Sequence, residues 1–212
     1  MKAKHELERG FTLTEMAIVI VLGGILLTAG LMAGRGQISR AQAQDVIQIA
    51  GDLQTAASGF KQRYGYLPGD WVYTANLISN ITAGGTGGAT GNGLIIGTLN
   101  ATTGVAAAGT EIAVAPVQLY QAGFIGKLNT DVTRRIQSQF GPVHMAGAAN
   151  AAATYRTENP SVQNVIIFFN LPCDVVLDVD RALDDGLSDK GKVMTGVACT
   201  AGATAVNTFI PL

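Results

Sequence analysis

The chain has 212 residues, a formal net charge of −1 at pH 7, and charged side chains at 14% of its positions. A net charge near zero excludes nucleic-acid binding through a basic surface, because such binding depends on neutralising phosphates. The charged share lies well below the roughly 25% of a soluble globular protein, which predicts a strongly apolar segment and excludes a coiled coil or an acidic disordered tail.

The apolar segment follows a basic stretch, MKAKHELERG, and reads FTLTEMAIVIVLGGILLTAGLMAG. Residues 16–34 carry no charge, and as a helix they would span roughly 28 Å, close to the hydrocarbon thickness of a bilayer. This run is longer than the about 7–15 apolar residues of a secretory signal. The pattern therefore predicts a membrane-spanning helix that the protein retains. Glu15, near the start of the run, is a functional candidate because a carboxylate in lipid is costly.

The sequence GFTLTE at residues 10–15, placed directly before an apolar helix, resembles the processing site of type IV prepilins and type II secretion pseudopilins. The resemblance implies a cytoplasmic leader at 1–10, cleavage after Gly10 by a membrane prepilin peptidase, and N-methylation of Phe11. It also implies that Glu15, the fifth mature residue, acts in assembly. Many pilins have a proline partway along this helix, whereas the first proline here is Pro68.

Residues 35–64 are predicted to continue the same helix beyond the transmembrane and assembly segment at 11–34. Apolar side chains recur every three or four positions and form one stripe: Val46, Ile49, Leu53, Ala57, Phe60 and Tyr64. Polar residues occupy the other face. The apolar stripe of this amphipathic half needs a cover, which a globular domain at 65–212 is expected to supply.

The middle of the chain contains turn and loop signals. YGYLPGDW at 64–71 resembles a segment that follows the long helix in some pilin-like proteins, and its Gly65 and Pro68 predict a helix cap and a turn. Residues 81–110 are rich in Gly, Thr, Ala and Asn and predict loops or short strands. Residues 114–126 predict a short helix that Gly123 or Gly126 closes.

The last third of the chain predicts a sheet with one helix. Strands are expected at 162–170, 192–198 and 203–210, and a helix at 172–184 with Val176, Val179 and Leu183 on one face. The fold class is therefore α+β. The resemblance implies a type IV pilin-like architecture, with the long N-terminal helix packed on a C-terminal antiparallel sheet.

Two cysteines, Cys173 and Cys199, lie in the part expected outside the cytoplasm, where an oxidising compartment would let them pair. Pilins often carry such a C-terminal disulfide loop, so the resemblance agrees with this pairing. The alternative is two free, buried thiols.

Six acidic residues cluster in the C-terminal region: Asp174, Asp178, Asp180, Asp184, Asp185 and Asp189. Neighbouring carboxylates repel one another unless they are solvated, separated or bridged by a cation. A calcium site formed by Asp178, Asp180, Asp184 and Asp185 and a solvated helix end are both open interpretations. No other cofactor is expected. The stretch GLSDKGKV at 186–193 departs from a nucleotide-binding loop at Val193, where Ser or Thr would be required.

These features favour a structural subunit of a type IV pilus or a type II secretion pseudopilus rather than an enzyme. Its expected partners are further copies of itself or other pilins, the prepilin peptidase, and the inner membrane before assembly. We expect a single-pass inner-membrane protein with a cytoplasmic N-terminus, which then enters a periplasmic or cell-surface filament. The alternative is a membrane-anchored periplasmic enzyme or binding protein. The sequence supports that alternative poorly, because His144 is the one histidine outside the leader and no G-x-S-x-G occurs.

Overall fold

The structure, a computed structural model, describes residues 12–81, 91–129, 135–200 and 206–212, except for the side chains of 30–35. Its helices are α1 (Leu13–Tyr64), α2 (Glu111–Gln121), α3 (Ala153–Glu158) and α4 (Cys173–Leu183), with a 3-10 turn at Ala148–Asn150. Its strands are β1 (Ile136–Gln137), β2 (Pro142–Gly147), β3 (Asn164–Leu171), β4 (Met194–Thr195) and β5 (Val206–Pro211). The chain divides into two compact units, Met1–Arg40 and Ala41–Leu212.

The first unit contains the N-terminal part of α1. Every residue from Thr12 to Ala29 is exposed, and large apolar residues such as Ile20 and Leu26 are 73% and 72% exposed. No helix among the described residues combines the length and the hydropathy of a membrane span. Of the span predicted at 11–34, Phe11 lies outside the described residues, as do the side chains of 30–34.

In the second unit, the amphipathic half of α1 buries its predicted stripe. Val46, Leu53, Ala57 and Phe60 are all at most 2% exposed, and Ile49 and Tyr64 are half-buried. The predicted polar face is exposed: Gln44, Asp45, Gln48, Asp52, Gln62 and Arg63. The buried face is wider than the predicted stripe because Ala43, Ala50 and Ala56 also join the core.

The remainder of the second unit is built around a five-stranded antiparallel sheet in the order β1-β2-β3-β5-β4. The central strand β3 is buried on both faces except at Asn170, as expected for a strand covered on both sides. The sheet and α1 share one apolar core. The Gln54 side chain also donates a hydrogen bond of 2.7 Å to the Pro211 carbonyl, which joins α1 to β5. The predicted α+β fold, a long helix packed on an antiparallel sheet, is confirmed.

Several predicted boundaries differ from the structure. The strand expected at 192–198 is reduced to β4, and residues 203–205 of the last predicted strand lie outside the described part. In α4, Val176 and Val179 are fully buried, but Leu183 is 43% exposed and Asp180 is buried instead. Asp180 lies four residues after Val176 and therefore shares its face.

The short helix predicted at 114–126 begins earlier, at Glu111, and its last helical residue is Gln121. Gly123 closes it in the left-handed region at φ 79°. The Phe124 amide donates to the Leu119 carbonyl at 2.9 Å, and the Gly123 amide donates to the Tyr120 carbonyl at 3.1 Å. These two hydrogen bonds form a Schellman C-cap, so the glycine signal placed the helix end correctly to within a few residues.

Candidate functional site

The first candidate site is the start of α1, where Glu15 lies in the first helical turn. Gly10 and Phe11, the predicted processing residues, lie outside the described part of the chain. Glu15 Oε2 accepts hydrogen bonds of 2.8 Å from both the Thr12 amide and the Thr12 hydroxyl. The Glu15 amide donates to Thr12 Oγ1 at 3.3 Å. Thr12 and Glu15 thus form a reciprocal capping box, which satisfies backbone donors at the helix N-terminus.

The capping box gives Glu15 a second property that the sequence analysis missed. The pattern Thr-x-x-Glu at 12–15, directly before an apolar run, is itself a helix-start signal and could have revealed the contact. The structure therefore places Glu15 in a hydrogen-bonded contact within its own helix.

The second candidate site is the loop closed by the disulfide. Cys173 and Cys199 are bonded, with Cα atoms 5.4 Å apart. Cys173 begins α4 and is 1% exposed, whereas Cys199 follows β4. The disulfide thus connects the start of a helix to the chain beyond an edge strand, and the acidic cluster lies in the loop between them.

Asp184 organises the chain within that loop. Its Oδ2 atom accepts hydrogen bonds from the amides of Lys192 and Val193. A Cβ atom at Gly191 would overlap this carboxylate, so the loop requires a glycine there. The Asn159 side chain also donates to the Gly191 carbonyl at 2.8 Å. The backbone amides that could face a phosphate in a nucleotide-binding loop are therefore used by the chain's own carboxylate.

The structure brings together three of the four predicted calcium ligands. One carboxylate oxygen from each of Asp180, Asp184 and Asp185 lies within 4.8 Å of the others. Asp178 is not in this group, and instead forms an ion pair of 3.1 Å with Arg181. The Asp185 side chain is exposed, and its Oδ1 accepts a hydrogen bond of 2.8 Å from the Leu187 amide.

Asp180 differs sharply from a solvated carboxylate. It is 0% exposed, and neither of its carboxylate oxygens has a hydrogen-bond partner among the described residues. Burial, followed by the neighbouring charges of Asp185 and Asp184, raises the pKa of Asp180 to about 6. The interpretation of the cluster as a solvated helix end therefore fits Asp185 but not Asp180.

His144 bears on the alternative of an enzyme. It lies in β2, is 2% exposed, and its Nε2 atom is 2.7 Å from the Gly104 carbonyl oxygen. That oxygen can only accept, so Nε2 carries the proton. Burial lowers the pKa of His144 to about 4. Its contacts hold a loop against the sheet, which is a structural role.

A family model and a curated relative each match part of the chain. Residues 7–31 match the family model of the prokaryotic N-terminal methylation motif. A fimbrial protein of Neisseria meningitidis serogroup B is 35% identical over 66 residues, which is 31% of this chain. The match spans 39% of that relative's length. No solved structure matches the chain at a significant level. The N-terminal segment thus carries the methylation motif, and 66 residues of the chain are similar to a fimbrial protein.

Proposed function

We propose that the chain is a structural subunit of a type IV pilus or a type II secretion pseudopilus and assembles into a helical filament through α1. The observation that carries this proposal is the methylation motif at 7–31, which runs directly into a helix whose described apolar side chains are exposed. An apolar surface on all sides of a helix needs lipid or other helices around it. The membrane would supply the lipid before assembly, and the helices of other subunits would surround α1 in the filament core.

Maturation would begin at the inner membrane. The leader 1–10 stays on the cytoplasmic side, since Lys2, Lys4 and Arg9 obey the positive-inside bias. A prepilin peptidase cleaves after Gly10, and Phe11 becomes the methylated N-terminus. The globular residues 65–212 then lie in the periplasm or, in a pilus, at the cell surface.

The apolar part of α1 cannot by itself fix the position of one subunit against the next. Lipid tails are as apolar as leucine, so transfer from membrane to filament gains little from the hydrophobic effect. Apolar side chains such as Ile18, Leu22 and Ile25 can also pack in several registers. A polar contact is needed to select one register, and Glu15 is the acidic residue of this segment.

Cleavage supplies the partner of Glu15. The new amine of Phe11 is cationic at neutral pH, and methylation keeps it basic. Where water is excluded, a carboxylate and an amine attract strongly, and an unpaired carboxylate is costly. We infer that Glu15 exchanges its hydrogen bonds with Thr12 for the Phe11 amine of a neighbouring subunit. This exchange would set the axial register of adjacent helices.

Two substitutions separate the charge of Glu15 from its capping role. Glu15→Gln keeps an acceptor at the third position of the capping box, since Gln serves there as well as Glu, but it removes the charge. Thr12→Ala removes the cap and keeps the charge. We expect Glu15→Gln to reduce the sheared filament fraction at least roughly tenfold, because one charge pair is worth more than the 1.4 kcal/mol that a factor of ten represents. Thr12→Ala should assemble nearly normally. Immunoblots of the sheared and membrane fractions measure both.

The control is leader removal, which both variants should retain because each still reaches the peptidase. Wild-type filament levels with Glu15→Gln would contradict a charge contact between subunits. Loss of filaments with Thr12→Ala alone would instead assign Glu15 to capping its own helix.

A further inference from the structure

We propose that the chain modifies itself at Asn92 and Gly93. The Gly93 nitrogen attacks the Asn92 side chain, ammonia leaves, and a cyclic imide forms, which water then opens to aspartate or isoaspartate. The site lies in the second unit of the chain, Ala41–Leu212, and is independent of the filament contact proposed for α1.

The sequence supplies the reacting pair at one position. Asparagine is among the thermolabile residues of proteins, because the backbone nitrogen of the next residue can attack its side-chain amide carbon. The attack is easiest before glycine, which has no Cβ atom to crowd that nitrogen. Asn92-Gly93 is the one Asn-Gly pair in the sequence. The Asn92 side chain is exposed, so water can reach the imide once it has formed.

Asp70 lies where a base is needed. It is 1% exposed, and its Oδ2 atom accepts a hydrogen bond of 2.7 Å from the Gly93 amide. Its Oδ1 atom accepts a second hydrogen bond of 3.1 Å from the Asn92 amide, which fixes the carboxylate against the pair. An amide nitrogen is a poor nucleophile until it loses its proton, and a base within hydrogen-bond reach of that proton can remove it. Asp70 can therefore take the Gly93 proton as the nitrogen attacks.

The Leu94 amide holds the group under attack. It donates a hydrogen bond of 2.9 Å to Asn92 Oδ1. The ring that this hydrogen bond closes contains both the Asn92 side chain and the Gly93 nitrogen, so the reacting groups lie side by side. Negative charge develops on Oδ1 as the new bond forms, and a donor already aimed at that oxygen stabilises the transition state. Nucleophile, base and oxyanion donor thus occur together in one turn.

The reaction balances with water as the only other reactant. The bond between the Gly93 nitrogen and Asn92 Cγ forms, the bond between Cγ and Nδ2 breaks, and the proton taken by Asp70 leaves with ammonia. Water then adds to one of the two imide carbonyls. Because the imide nitrogen carries no hydrogen, Asp70 loses one of its two amide donors, which weakens the attachment of this turn to the segment that follows α1.

Asn100 is a matched comparison within the same chain. It is also exposed, and its Oδ1 atom accepts hydrogen bonds of 3.0 and 2.9 Å from the amides of Thr102 and Thr103, in a similar turn. The next residue is Ala101, whose Cβ atom crowds the attacking nitrogen. We therefore expect conversion at Asn92 and not at Asn100.

The test is peptide mapping by mass spectrometry of the full chain in detergent. The protein is incubated at neutral pH in water enriched in heavy oxygen, which labels each new carboxyl group, and is then digested in ordinary water. We expect label at residue 92 and none at Asn100. The folded chain should convert at least roughly tenfold faster than the same chain unfolded in guanidinium, since a positioned base contributes about 10²–10⁴-fold.

Asp70→Asn is the decisive variant, and Asp45→Asn, an exposed change on α1, is its matched control. Asp70→Asn keeps the size of the side chain and removes the base, so conversion at Asn92 should slow at least roughly tenfold. Asp45→Asn should convert Asn92 at the wild-type rate.

Gly93→Ala is a second variant, for use if Asp70→Asn does not fold. A Cβ atom at Gly93 would meet no atom within 4 Å, although alanine is strained at the φ of 83° found there. The added methyl group crowds the attacking nitrogen, so conversion should again slow by roughly tenfold or more.

Three results would overturn the proposal. Slower conversion of Asn92 in the folded chain than in the unfolded chain would show that the fold protects the pair. A wild-type rate in folded Asp70→Asn or Gly93→Ala would exclude the assigned base or the assigned nucleophile. Equal labelling at Asn92 and Asn100 would assign the chemistry to exposure alone.

Discussion

His144 shows how a single buried side chain makes stability depend on pH. In the folded chain its pKa is lowered to about 4, while in the unfolded chain it returns to about 6.5. Between these pH values the unfolded chain binds a proton that the folded chain does not. The contribution of His144 to stability is therefore present above pH 6.5 and is lost as the pH falls toward 4.

His144→Gln removes this titration and keeps a donor that can reach the Gly104 carbonyl. Relative to this variant, the wild type should lose about 1 kcal/mol of unfolding free energy per pH unit between pH 6 and pH 4.5. The difference between the two proteins is the quantity to measure, because the raised pKa of Asp180 gives the opposite pH dependence in the same range. Parallel stability curves from denaturant unfolding would contradict the buried, neutral state of His144.

At the scale of elements, the second half of α1 depends on its buried face. Leu53 is 2% exposed within the shared core, whereas Gln62 is exposed on the same helix. Leu53→Ala should lower the unfolding free energy by about 2–5 kcal/mol, since it removes buried methyl groups and leaves a cavity. Gln62→Ala should change it by less than about 0.5 kcal/mol. Thermal unfolding of both variants checks this, and equal effects would refute the assigned helix face.

The elements that the sequence predicted share a local signal. The apolar stripe on α1 and the helix end at Gly123 each depend on residues a few positions apart. Periodicity and glycine placement therefore predict both. Strand β2 carries no such signal: PVHMAG is buried at every position and therefore lacks the alternation of a half-exposed strand. Strands β1 and β4 have two residues each, which is too short for a sequence pattern, and they form by pairing with the adjacent strands.

The candidate sites also differ in whether a local sequence signal reveals them. The N-terminal motif could be identified from sequence because its residues are contiguous. The burial of Asp180 could not be identified from sequence, because burial depends on which residues pack against α4. A charged residue such as aspartate also argues against a buried position. The separation of Asp178 from the cluster, by contrast, follows from helix geometry, since residues two apart point in different directions.

For the whole molecule, we propose that the chain is cut after Gly10 and enters a filament. The chain divides into two compact units, Met1–Arg40 and Ala41–Leu212, and we assign assembly to the helix of the first and the globular domain to the second. Gly10→Ala should block cleavage and leave a longer precursor in the membrane fraction, with filaments reduced to background. The disulfide and the fold of the second unit should be unaffected, because both lie far along the chain from the cleavage site.

The most direct test is mass spectrometry of the N-terminal peptide from purified filaments. We expect a chain that begins at Phe11 and carries one methyl group on its α-amine, with residues 1–10 absent. Assembled protein that still begins at Met1 would contradict it.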